Sequence, residues 1–115
     1  MQTDMFVYLS GPITATQDKT VERHVADAVA IYLEFMRHGI PSFCPHLSAA
    51  FPSAFTVNYE IWMAYDLAVI DRCTHMVMMP GWEQSAGAVR ERAYANVCDL
   101  PIWSDWRDFL AQHTA

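Results

Sequence analysis

Residues 78–95 read MMPGWEQSAGAVRERAYA, and within them Ser85, Gly87 and Glu91 stand at a spacing that permits chemistry. The segment after Pro80-Gly81 has helical character, so Gly87 and Glu91, four residues apart, share one helix face with Ala88 beside them. Small residues there clear space around a carboxylate, an arrangement that suits a sugar ring; the plainer reading is a solvated glutamate followed by Arg92. Ser85 is placed to cap the helix, and the free amides of a helix start also favour an anion such as a phosphate. A glycine in a helix costs about 1 kcal/mol relative to alanine, so Gly87 requires a reason. Either a ligand approaches the backbone there, or two elements pack closely.

Four further residues could join this group. Tyr8 ends an apolar run, where its hydroxyl either orients a carboxylate or belongs to the core. Asp66 lies in an apolar helix and either reaches a crevice or faces water. Trp82 can stack on a base or wedge a loop, and His46 is either a polar rim residue or a satisfied core histidine. Two Cys-x-His pairs, Cys44-Pro45-His46 and Cys73-Thr74-His75, invite a zinc reading. One pair ends a strand and the other begins a parallel one, which puts them at opposite edges of a sheet; no metal site and no cofactor are expected.

The elements that must position these residues follow from periodicity. Residues 5–9 form a short, nearly continuous apolar run stopped by Ser10-Gly11-Pro12, the pattern of a strand buried on both faces. Residues 20–38 carry apolar side chains at helical spacing, with Thr20 as cap and Gly39 as stop. A strand at residues 40–44, a loop over 45–56, a helix from Asn58 to about Arg72 and a strand at 75–79 come next. The helix through Glu91, a brief strand at 101–103 and a terminal helix opened by Ser104 complete the chain. Strands alternating with helices predict an α/β three-layer domain with a parallel sheet and right-handed crossovers, taken here as a flavodoxin-like or Rossmann-like sheet of four to five strands in the order 2-1-3-4. Ligands then bind beyond the carboxyl ends of strands one and three, in a crevice lined by Ser10, Gly11, Pro12 and Ile13 and by residues 80–85.

The 115 residues fit one domain, 1–115, and 53% hydrophobic content is enough for a real core. A net charge of -6 argues against a partner with a phosphate backbone, so a small molecule is the expected ligand rather than nucleic acid. No apolar run approaches the ~20 residues of a membrane span, and the first residues, MQTDMFVYLSG, lack a signal-type pattern. Three cysteines without paired short spacing fit reduced thiols. The expectation is a cytoplasmic protein without membrane contact.

Taken together, Tyr8-Leu9-Ser10-Gly11-Pro12-Ile13, Asp66 before the third strand, and Ser85-x-Gly87-x-x-x-Glu91 resemble the nucleoside 2-deoxyribosyltransferase family. The resemblance is to its small phage and bacterial relatives and to the 2'-deoxynucleoside 5'-phosphate N-hydrolases. It runs from Val7 to about Ile102. It implies Glu91 as the nucleophile at C1' of the sugar, Tyr8 as the hydroxyl that positions it, and Asp66 as a polar group near sugar or base. Ser85 and Gly87 are implied to meet a 5'-phosphate at the helix start. The chain departs from family patterns at Thr74, often acidic in members, and at residues 14–17, where the phosphate hydrolases carry an arginine with a glycine-rich stretch. The nucleotide phosphoribohydrolase motif is only loosely matched by residues 80–91, with different spacing and no Gly-Thr.

N-glycosidic cleavage needs a carboxylate to capture an oxocarbenium-like centre and a donor to protonate the departing base. Glu91 supplies the first; Asp66, Glu83 or water supplies the second. The expected function is cleavage or transfer at the N-glycosidic bond of a (deoxy)nucleoside or its 5'-monophosphate. The alternative is a non-catalytic nucleotide-binding or sensor module. A homo-oligomer, most simply a dimer, is also expected, because relatives complete their sites with a neighbouring subunit and so short a chain has few loops to close over a ligand.

Overall fold

A computed structural model describes residues 4–50 and 56–114. Four parallel strands, β1 (Val7–Ser10), β2 (Ser42–Phe43), β3 (His75–Met78) and β4 (Ile102–Trp103), form one sheet in the order β2-β1-β3-β4. Helices α1 (Val21–Arg37) and α4 (Trp106–His113) cover one side, and α2 (Tyr59–Ile70) and α3 (Ala86–Val97) the other. This is the expected α/β architecture and strand order. The fold is flavodoxin-like.

Strand alternation sorts β1 between the two layers. Val7 and Leu9 join Val77 of β3, Ala28, Ile31 and Phe35 of α1, and Phe109 and Leu110 of α4 in one apolar cluster. Tyr8 joins Met76 and Met78 of β3, Ile70 of α2, and Ala88 and Ala95 of α3 in the other. All four residues of β1 are fully buried, as its unbroken apolar run requires.

The caps explain most boundaries. Thr20 accepts from the Arg23 amide at the start of α1, and Gly39, at φ 69°, stops the helix in the left-handed region that glycine enters without strain. Asn58 caps α2 through the Glu60 amide. The terminal helix is capped by Asp105, which accepts from the amides of Arg107 and Asp108, rather than by Ser104 as expected. Both residues are good caps, and Asp105 reaches two amides at once. The second strand is shorter than the expected 40–44, because Pro41 has no amide to donate and only its carbonyl pairs, with the Val7 amide at 3.0 Å. Residues 45–50 of the expected loop form a 3-10 helix, Pro45–Ala50; the part of that loop at 51–55 lies outside the described residues, as do residues 1–3 of the N-terminal segment. No helix among the described residues is long and apolar enough to cross a membrane.

Candidate active site

Glu91 sits in the second turn of α3 and is 5% exposed despite its charge. Two β1 side chains on the same face of the strand reach it. The Tyr8 hydroxyl donates to Oε2 at 2.8 Å and the Ser10 hydroxyl to Oε1 at 2.7 Å. Both carboxylate oxygens are thereby fixed, which sets the rotamer and orientation of the group. Stacking of the Tyr8 ring on Phe43, with centroids 5.6 Å apart, holds the phenol in turn.

Asp66, on the inner face of α2, is the second buried carboxyl here. Burial is the main cause that raises the affinity of both carboxyls for protons, and for Glu91 the repulsion from Asp66 adds to it, while the hydroxyl donors act in the opposite sense. The two carboxyls titrate as a pair, with Glu91 raised further, to about 8, than Asp66, to about 6. The Tyr8 phenol is likewise raised, by burial and then by Glu91 and Asp66, and stays protonated.

A cavity of about 590 Å³ opens beside this pair. Its walls come from four places: Gly11, Ile13 and Thr14 after β1; Pro45, Ser48 and Ala49 after β2; Val57, Tyr59, Trp62, Met63 and Asp66 on and before α2; and Ser85 to Ala88 with Glu91 on α3. The wall is largely apolar, with a few convergent polar groups, the usual character of a small-molecule site.

Gly87 can now be explained. A Cβ added there would meet Tyr59 Oη at 3.6 Å and Met63 Cε at 3.7 Å, ordinary contacts that demand no glycine. Close packing is therefore not the reason; the missing side chain leaves room in the cavity. Gly11 differs, since a Cβ there would come within 3.1 Å of Met79. Ser85 lines the cavity and also caps α3 by accepting from the Ala88 amide at 3.2 Å. The amides of Ala86 and Gly87 have no partner among the described residues, as the start of a helix leaves them.

Not every residue expected in the site lines it. Trp82 does not: its indole packs on the Tyr8 side of the core with the Arg92 guanidinium 5.1 Å above the ring. His46 is fully buried and bonds the Pro12 carbonyl at 2.8 Å, the satisfied core histidine of the two readings. Pro12 contacts the Gly81 turn rather than the cavity. Ser10 meets Glu91 rather than the cavity space. Residues 80–84 are absent from the wall, so the exposed Glu83 is no candidate acid. Arg90 is paired with Glu60 at 2.9 and 3.1 Å, and no Lys or Arg lines the cavity among the described residues. Conversely Tyr59, Trp62 and Met63 were unforeseen, although their spacing from Asp66, one or two turns back along α2, is a readable face.

The fold recurs in a solved 2-deoxyribosyltransferase from the psychrotolerant bacterium Bacillus psychrosaccharolyticus, a biocatalyst for the synthesis of nucleosides. The likeness has a TM-score of 0.62 at 15% identity and covers 91% of this chain and 90% of that one. At that identity it shows the fold. No curated protein matches the sequence. A domain family of unknown function, DUF4406, matches residues 5–104, and the chain belongs to that family.

Proposed function

We propose that the protein cleaves or exchanges the N-glycosidic bond of a nucleoside or its 5'-monophosphate, with Glu91 as nucleophile. The observation that carries this reading is the buried Glu91 carboxylate at a cavity wall, with Tyr8 and Ser10 each donating to one of its oxygens. In the reactive form the proton of the pair sits on Asp66 and Glu91 is ionised, the less populated arrangement, since burial and Asp66 raise Glu91 to about 8 and Asp66 reaches only about 6. One Glu91 oxygen attacks C1', the C1'–N bond breaks with its electron pair passing to the base, and Asp66 supplies the proton to the leaving nitrogen. Water then releases the sugar, or a second base accepts it, with the Asp66 carboxylate as general base. Positioned acid catalysis of this kind contributes about 10²–10⁴-fold.

The reading treats Gly11, Ile13, Ser85 and Gly87 as substrate-facing and assigns no part to a cofactor. Among the described residues a 5'-phosphate finds the start of α3, with the Ser85 hydroxyl and two amides, and no cationic side chain. A helix start contributes about 1 kcal/mol, so monophosphate and nucleoside should differ in kcat/KM by less than about tenfold. The likeness to the deoxyribosyltransferase fold supports a nucleoside as substrate class.

We also take the protein to be a cytoplasmic homo-oligomer. All three cysteines are free, the state a reducing compartment maintains. Helix α2 leaves Ile61 and Tyr65 more than half exposed beside the cavity-lining Tyr59, apolar surface that a second copy could cover. A light-scattering mass equal to that of one chain at micromolar concentration would remove the oligomer.

Incubation with a panel of nucleosides and monophosphates, followed by chromatography of the free base, tests the function. Base release that requires Glu91 supports it. Saturable thermal stabilisation by a nucleoside without any product would instead mark a non-catalytic binding module.

A further inference from the structure

We infer that His46 and His24 are positioning residues that latch the loop after β1, and so set one wall of the cavity without touching its contents. The inference rests on the proposed reading of the cavity as a substrate site. His46, fully buried, lies outside the wall with Nε2 2.8 Å from the Pro12 carbonyl. A carbonyl only accepts, so Nε2 carries the hydrogen. Nδ1 of the neutral ring is then an acceptor, and it faces the Cys44 thiol at 3.6 Å. Burial pushes the His46 imidazole down to about 4 and the Cys44 thiol up to about 11, so both are neutral at physiological pH and the chain thiol to imidazole to carbonyl has one polarity.

The far end of the loop is held in the same manner. The Thr16 hydroxyl donates its one hydrogen to Asp18 Oδ1 at 2.9 Å, so it accepts from Nε2 of the buried His24, 3.1 Å away on α1. The Thr16 amide closes the turn on the Lys19 carbonyl at 2.9 Å. Between these two pins stand Ile13 and Thr14, which line the cavity. At the root, Gly11 lies against Met79 so closely that no Cβ fits without displacement. Each pin is a single hydrogen bond to the loop from a side chain that is itself buried. The wall is thus held by groups outside the cavity, whereas Glu91 is held by Tyr8 and Ser10 of β1 and should not depend on them.

Hydrogen exchange of the ligand-free protein, combined with steady-state kinetics, tests the latch. His46→Leu removes one donor; His46→Gln keeps an N–H near the position of Nε2; Thr16→Val frees the other end without altering a core residue. The latch predicts exchange at residues 13–16 rising about tenfold in His46→Leu and Thr16→Val, the effect of losing one buried hydrogen bond, and staying near wild type in His46→Gln. Exchange in β1 and β3 should not change, and KM should rise with little change in kcat. A rise spread evenly through the sheet in His46→Leu, with residues 13–16 of Thr16→Val exchanging as in wild type, would overturn the latch and leave His46 as core packing. Should the wild type show no base release, the proposed function fails while the exchange data still decide the latch.

Discussion

The two faces of β1 are built on opposite terms. Val7 and Leu9 enter a layer closed by apolar side chains of α1 and α4, with Phe35 stacked on Phe109 at 5.6 Å. Tyr8 and Ser10, the alternate residues of the same four-residue strand, enter a layer that keeps two carboxyls out of water. The first face gains stability from burial, about 1.5–3 kcal/mol for each large side chain. The second gives some of that away, since a buried carboxyl with a raised proton affinity is less stable ionised in the fold than in the unfolded chain. A strand that alternates hydrophobe with hydroxyl thus separates what holds the molecule together from the carboxyls to which we assign the proposed chemistry.

The contrast is tested most severely by changing Glu91. Glu91→Gln should lower base release by at least about 10³-fold, as loss of a nucleophile does, while its Tm at pH 8 equals or exceeds that of wild type. Leu9→Ala, one residue from Tyr8, should do the reverse. It costs about 2–5 kcal/mol in denaturant unfolding, with the kcat of the folded fraction unchanged. If Leu9→Ala lowered kcat as Glu91→Gln does, the division between the faces would not hold.

Smaller effects sharpen the comparison. Tyr8→Phe removes one of the two donors to Glu91 and should lower kcat by about 10–100-fold, with the ring still stacked on Phe43. The pH dependence of stability carries a definite sign. Both carboxyls have proton affinities raised by burial above their ordinary values of 3.8 and 4.5, so the native state holds more protons than the unfolded chain. The stability they contribute is complete below those values and is lost as pH rises through the raised ones. Urea unfolding from pH 4 to 8 should therefore show a decline that is reduced in Glu91→Gln. Gly87→Ala is the smallest change: the added methyl makes only ordinary contacts, so stability should rise by up to about 1 kcal/mol, while KM rises because the methyl occupies cavity space.

Much of the fold was legible because each element carries its own local signal. The 3.6-residue period and the Thr20 cap mark α1, and an apolar run cut by Ser-Gly-Pro marks β1. Alternation of strand and helix makes the sheet parallel, whereas the order 2-1-3-4 has no local signal of its own. In the site, the facing of Tyr8 and Glu91 was legible as an implication of their combined motif, but the part of Ser10 was not, since a hydroxyl at a strand end has many possible partners. The far wall escaped notice because α2 is apolar around most of its circumference, so no hydrophobic stripe marks Tyr59, Trp62 and Met63 and only their spacing from Asp66 does. Trp82 and His46 show the opposite difficulty. Their residue types suit ligand contact, and only tertiary packing assigns one to Arg92 and the other to Pro12.

The central claim is that Glu91 forms a bond to the sugar, and the most direct measurement is intact and peptide mass after incubation with a nucleoside bearing fluorine at C2'. Fluorine there disfavours the oxocarbenium-like centre and slows release of a glycosyl-enzyme more than it prevents its capture. The account predicts a mass increase of one fluorinated sugar, located on the peptide that contains Glu91, and none in Glu91→Gln. Base release from this nucleoside with an unmodified Glu91 peptide, or an adduct on any other residue, would contradict it.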